Sequence, residues 1–282
     1  MKTRVITAII LIALLVPVLV FSGTVVLTVV AAFCSAVAVY EALKCIGTVD
    51  KPALSVPLFI SSVAINIAAW LCRNYGAERF VFVASFIAAI TTIYLLLVMV
   101  VSKGKISISD ISGSAFLSLY IAFAFASILV LRYYSSIGGY IYLLVFIGAW
   151  ITDTFAYFTG MLFGKHKLIP EISPKKTIEG SIGGTVFCAA TFVAYGLIIS
   201  KAIKVIALGE SDYVILAVCG IIVSVISQIG DLSMSAVKRH YGVKDFGKIF
   251  PGHGGMLDRV DSVMAVALAL FIFNEVVGVF NV

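Results

Sequence analysis

An all-α protein that crosses a lipid bilayer many times is the fold class this sequence predicts, and three observations predict it. Charged residues make up 12% of the 282 positions and hydrophobic ones 62%, where a soluble globular chain carries roughly 25% charged residues. The apolar runs are as long as a bilayer is thick: Val5 to Phe21, Val56 to Leu71, Phe80 to Val101 and Val260 to Phe273 hold almost no charge, and a span needs roughly 20 such residues. Lysine and arginine, finally, fall on alternate connections between those runs rather than evenly.

Taken in order, the runs predict about nine helices, at residues 5 to 22, 24 to 43, 54 to 72, 80 to 102, 112 to 131, 138 to 162, 179 to 200, 212 to 237 and 259 to 280. The first could be mistaken for a secretory leader, since Lys2 and Arg4 precede it. It is longer than a leader's apolar core, lacks a good small-residue cleavage site and is followed by further membrane runs, so an uncleaved helix is expected. Gly23 alone separates it from the second, which predicts a tight hairpin. With nine spans, 15 of the 20 Lys and Arg residues fall on the side of the N-terminus and 5 on the other. That bias puts the N-terminus in the cytoplasm. The expected division is residues 1–137, five helices of scaffold and dimer contacts, and residues 138–282, four helices whose cytoplasmic loops form the catalytic region.

Several function classes drop out early. Cys34, Cys45, Cys72, Cys188 and Cys219 are scattered, odd in number and free of any CxxC or Cys/His cluster, so they read as packing residues. The net charge of +6 fits basic loops at an anionic leaflet, and no nucleic-acid partner is expected.

Two cytoplasmic stretches gather the remaining chemistry: GKHKLIPEISPKKTIEG at 164 to 180 and KRHYGVKDFGKIFPGHGGMLDRVDS at 238 to 262. Acids are costly in a bilayer and tend to mark function. Asp231 lies near the cytoplasmic end of the eighth helix, and Asp258 and Asp261, three apart, share one face at the start of the ninth. If those helices are neighbours, three carboxylates converge and need a cation, and oxygen ligands suit Mg²⁺. The plainer alternative is that Asp258 and Asp261 cap a helix while Asp231 pairs with a lysine.

Lys238, Arg239, Lys244, Lys248 and Arg259 surround these acids in sequence, and Lys175 and Lys176 come from the other loop. Gly252, Gly254 and Gly255 are interleaved with them, so PGHGG before a helix is expected to offer free amides to an anion. Metal, cations and a glycine turn together are what a polyphosphate requires, and a phosphoryl or nucleotidyl substrate uses all the parts. His253 reads either as a general acid or base, or as a phosphate donor, or as a loop residue with neither role. Asp153, inside the sixth apolar run, either lines a polar cavity or bonds Ser/Thr groups on another helix. The glycines of Gly180-Ser181-Ile182-Gly183-Gly184 are expected to permit close helix packing.

These residues resemble a known family. Ser235-x-x-Lys238-Arg239, Lys244-Asp245 and Pro251-Gly252-His253-Gly254-Gly255-Met256-Leu257-Asp258-Arg259-Val260-Asp261 are similar to the C-terminal signature of the phosphatidate cytidylyltransferases, the CDP-diacylglycerol synthases. Asp153-Thr154-x-Ala156-Tyr157, Gly230-Asp231-Leu232 and ISPKKTIEGSIGG at 172 to 184 resemble it too. The resemblance implies that phosphatidate attacks the α-phosphorus of CTP, releasing pyrophosphate and giving CDP-diacylglycerol. It implies Asp231, Asp258 and Asp261 as metal ligands for Mg²⁺ and a second cation, with Lys238, Arg239 and His253 beside them. Asp153, Lys175, Lys176, Ser235, Lys244, Lys248, Gly254, Gly255 and Arg259 are then the substrate-binding set. A homodimer and a bacterial-type inner membrane, with the active site facing the cytoplasm, follow from the same likeness. One position departs: the family commonly has Glu before the signature Ser, and this chain has Met234.

Other classes remain to be separated. A transporter would carry inverted repeats, of which no clear one is visible, and a CDP-alcohol phosphotransferase would carry DGxxAR followed by D-x-x-x-D. A CTP-dependent lipid kinase differs in its products, phospholipid and CDP.

Overall fold

Backbone amides and carbonyls have no water to bond in a bilayer core, so an apolar run satisfies them internally as a helix. A computed structural model of the protein describes residues 7, 13, 15–202, 208–252 and 254–280, and it follows this rule throughout. Its elements are α1 (Val25–Ile46), α2 (Pro52–Leu71), α3 (Ala77–Val101), α4 (Ile108–Tyr133), α5 (Gly138–Ile141), α6 (Leu143–Phe163), β1 (Lys167–Ile169), β2 (Ser173–Thr177), α7 (Ile178–Ala202), α8 (Glu210–His240) and α9 (Leu257–Val276). Among the described residues, seven segments are long and apolar enough to cross a membrane: α1 to α4, Gly138–Phe163 taken as one, α7 and α8. The protein is therefore all-α and polytopic. Of the span expected at 5 to 22, residues 15–20 are helical, and most of the rest lies outside the described residues.

The chain divides into two units. The first comprises Met1–Gly139 with His240–Val260, the second Tyr140–Arg239 with Asp261–Val282. In the first, α1, α2 and α4 pack on one another around Val39, Leu43, Leu54, Leu58, Ile121 and Leu129, all fully buried, and α3 lies against α2. Small polar residues let the helices approach and bond: Ser35 Oγ and Ser62 Oγ are 2.6 Å apart, joining α1 to α2. Local signals set the ends. Thr24 caps α1 through Val26 N, with the turn at Phe21 closing the tight connection expected at Gly23. Ser107 and Asp110 form a capping box at α4, and Lys51 Nζ bonds Asp110 Oδ2 at 2.7 Å.

In the second unit α6 packs along α7, and glycine makes this contact close. A Cβ at Gly180 would lie 2.6 Å from the Ala156 carbonyl oxygen, and one at Gly184 2.8 Å from that of Thr152. The packing role expected for these glycines holds. Gly230 serves in the same way between α8 and α9, where a Cβ would overlap that of Ala265.

Three details depart from the sequence reading. The run at 138 to 162 is broken at Tyr142, leaving the short α5. The loop at 164 to 180 contains an antiparallel hairpin pairing Lys167 with Thr177 and Ile169 with Ser173. The last helix stops at Val276 rather than 280, because Gly278 turns to φ 77° and its N–H bonds the Asn274 carbonyl, a left-handed terminator.

Candidate active site

In the second unit the hairpin carries the lysines to the helices. Thr177 Oγ1 accepts the Gly180 N–H at 3.1 Å, capping the start of α7, and Glu179 accepts from His166 N and sits 2.7 Å from His166 Nδ1. With the C-terminal end of β2 tied down, Lys176 reaches Asp231 of α8, Nζ to Oδ2 at 2.5 Å. Asp231 Oδ1 also accepts a long 3.4 Å bond from Ser235 Oγ one turn later. Ser262 Oγ of α9 donates to Asp153 Oδ2 of α6 at 3.0 Å, and Asp261 Oδ1 accepts the Ser262 N–H at 2.9 Å. Asp261 is within electrostatic range of Asp231, Asp153 and the buried Lys238.

Asp153, Lys175, Lys176, Gln228 and Asp231 are among the polar residues that line a cavity of about 320 Å³. Tyr157, Met161 and Leu168 add apolar surface to the same lining. Gln228 Nε2 bonds Ser181 O and Thr185 Oγ1, both at 3.3 Å, and so holds α8 against α7 at the cavity wall. Both readings of Asp153 hold together: it lines a cavity and it bonds a serine on another helix. The pairing of Asp231 with a lysine also holds, and it brings a cation and a carboxylate to the same cavity.

In the first unit the stretch His240–Val260 is a loop shaped by glycine. Gly242, Gly252 and Gly254 adopt φ of 68°, 79° and 85°, a region that L side chains rarely enter. Phe250 N donates to Gly254 O at 2.9 Å, closing the PGHGG turn, while His253 itself lies outside the described residues. An open groove of about 670 Å³ is lined by Lys244, Lys248, Arg259, Gly252 and Gly254 among others.

The expectation of free amides at this helix start is corrected at three positions. Asp258 Oδ2 accepts Gly255 N at 2.9 Å and Phe246 N at 2.8 Å. Glu41 Oε1 accepts Met256 N at 3.1 Å, and Oε2 accepts Leu257 N at 2.8 Å. Carboxylates of the protein satisfy these donors, as a buried helix end requires. Asp258 thus bonds amides of the loop ahead of the helix, and it is Glu41 that accepts the N–H of the first helical residue, Leu257.

Sequence reasoning missed Glu41 and Ser262. Glu41 had a signal, an acid inside the apolar run 24 to 43, where burial demands a partner. Ser262 had none, since serines recur throughout these helices. Among the described residues, no three His, Cys, Asp or Glu side chains gather closely enough to form a metal-ligand group.

Comparison with known proteins shows the family. The model of the Cytidylyltransferase family matches residues 2–277. A phosphatidate cytidylyltransferase of Staphylococcus haemolyticus (strain JCSC1435) is 36% identical over 271 residues, covering 94% of this chain and 96% of its own. Proteins of the same name from Staphylococcus saprophyticus subsp. saprophyticus (strain ATCC 15305) and Staphylococcus aureus (strain COL) are 37% and 38% identical, with the same coverage. With a match that runs nearly end to end, this chain belongs to the cytidylyltransferase family.

Proposed function

We propose that this protein is a phosphatidate cytidylyltransferase, a membrane enzyme that joins CTP and phosphatidate into CDP-diacylglycerol and pyrophosphate. The observation that carries the reading is the cavity where Lys176 pairs with Asp231 beside Asp153, lined by charged and apolar side chains together. A phosphate headgroup with hydrocarbon tails combines the same two characters. The end-to-end likeness to proteins named for this activity supports it.

The reaction needs little covalent help from the protein. A lipid phosphate oxygen forms a bond to the α-phosphorus of CTP, and the bond from that phosphorus to the bridging β-phosphate oxygen breaks. The obstacle is repulsion between two anions, which positioning and fixed positive charge offset. In the second unit Lys175 and Lys176 neutralise and orient the lipid phosphate, with Lys238 and Arg239 adding charge. Asp153 and Ser235 hold the polar wall. In the first unit Lys244, Lys248 and Arg259 bind the triphosphate. Gly254 lines the groove without a side chain to obstruct it, Gly255 leaves room for the Glu41 carboxylate behind it, and His253 hydrogen-bonds or protonates the departing pyrophosphate.

For Mg²⁺ and a second cation the proposed ligands are Asp231 and Asp261 in the second unit and Asp258 in the first. Their carboxylate oxygens are the hard donors such ions take, and Asp231 already attracts a cationic partner in Lys176. Bound there, the metal would supply electrostatic stabilisation of charge on the transferring phosphorus. The same proposal includes nine spans with a cytoplasmic N-terminus, a bacterial inner membrane, an active site on the cytoplasmic face and a homodimer. Met234 in place of the family's usual Glu leaves Ser235 as the polar partner of Asp231 in that turn.

Purified protein in detergent, given labelled CTP, phosphatidate and Mg²⁺, is expected to yield labelled CDP-lipid on chromatography. Phosphorylated lipid with free CDP would make it a kinase instead, and no labelled lipid at all would overturn the assignment to lipid chemistry.

A further inference from the structure

Glu41 is an anomaly for a membrane helix. It is 2% exposed near the C-terminal end of α1, far in sequence from every residue assigned to substrate. An acid so placed is stabilised only if its oxygens are bonded. Both of them are, to the backbone N–H groups of Met256 and Leu257, more than 200 positions along the chain. The packing around it is closed as well: a Cβ added at Gly247 or Gly255 would overlap the Glu41 carboxylate. One side chain of α1 therefore meets the loop both at Gly247 and at the start of α9, two points within the stretch that walls the Lys244, Lys248 and Arg259 groove.

We propose that Glu41 is a positioning residue, which sets the groove's wall for the nucleotide by clasping the Met256 and Leu257 amides. The proposal rests on the reading of this groove as the triphosphate site. Glu41 touches no substrate. Its carboxylate acts through the backbone, holding the turn so that Gly252 and Gly254 can keep their left-handed conformations while the three cations converge on one polyanion. A second carboxylate, Asp258, holds Phe246 and Gly255 from within the loop. The loop is thus pinned from outside by α1 and from inside by its own helix start.

The isosteric Glu41→Gln keeps the volume but turns an amide N–H₂ toward a donor that needs an acceptor. Hydrogen bonds to a charged group lose enough on such a change to shift an equilibrium by about ten- to a hundredfold. In detergent-purified protein, E41Q is expected to speed hydrogen exchange of the Met256 and Leu257 amides about tenfold or more while α2 stays protected. It is expected to raise KM for CTP by about ten- to a hundredfold, with kcat at saturating CTP changed far less, as loss of ground-state binding requires. Ser35→Ala, which removes the α1–α2 serine contact elsewhere in the same unit, serves as the control. It is expected to change neither readout.

E41Q with wild-type exchange at 256 and 257 would overturn the clasp. Activity lost only in proportion to the fraction unfolded, with an unchanged KM, would reduce Glu41 to a structural role and overturn the positioning. If the wild-type protein makes no CDP-lipid, the nucleotide reading fails separately, and the exchange measurement still decides whether Glu41 holds the loop.

Discussion

Two pairs of acids, one in each unit, are used in opposite ways. In the first, Glu41 and Asp258 give their oxygens to backbone amides, four donors in a single loop. In the second, Asp231 and Asp153 meet the rest of the unit through side chains, Lys176, Ser235 and Ser262. Backbone amides cannot move without moving the chain, whereas a lysine or a serine can swing to another partner. The first arrangement is a fixed frame, and the second is one that a substrate phosphate or a cation can enter by exchange.

That contrast can be broken experimentally, starting where the largest effect is expected. Asp231→Asn should lower cytidylyl transfer by about 10²–10³-fold, the loss seen when one preorganised electrostatic group is removed, with little change in thermal stability. A comparable fall in melting temperature would show that Asp231 belongs to the frame instead. Asp258→Ala is expected to cost activity and stability together, because two buried donors lose their acceptor at about 1–3 kcal/mol each; thermal unfolding in detergent reads the second effect. An Asp258 variant of wild-type stability would erase the distinction between the units.

Gly180→Ala comes next. Its Cβ would meet the Ala156 carbonyl at 2.6 Å and the Thr177 hydroxyl at 2.9 Å, so helix packing and the base of β2 should both yield, at about 1–3 kcal/mol. The expected signature is reduced stability with weakened lipid binding, as Lys176 follows β2. The smallest effect belongs to Ser107→Ala, a local helix cap whose removal costs about 1 kcal/mol and should leave catalysis untouched. It provides the scale against which the long-range clasp of Glu41 is judged.

Much of the fold was legible because a bilayer enforces a simple rule. A long apolar run has no alternative to a helix there, and α1 to α4, α7 and α8 start or end within a few residues of the hydropathy boundaries. The hairpin was not legible, since Lys167 to Thr177 is short, rich in lysine and proline, and has no alternating apolar face. In the site, Asp153, Lys176 and Asp231 announced themselves as charges near apolar helices, and they meet in one cavity. The occupied amides of Gly255, Met256 and Leu257 did not, because a glycine-rich helix start reads the same whether an anion or a distant Glu41 satisfies it.

The central claim is transfer of a cytidylyl group to a lipid, and the position of the label decides it most directly. In parallel reactions with phosphatidate and Mg²⁺, CTP labelled at the α-phosphorus should put label into the lipid, while CTP labelled at the γ-phosphorus should put it only into pyrophosphate. Label from the γ-phosphorus in the lipid, or from neither position, would contradict the account.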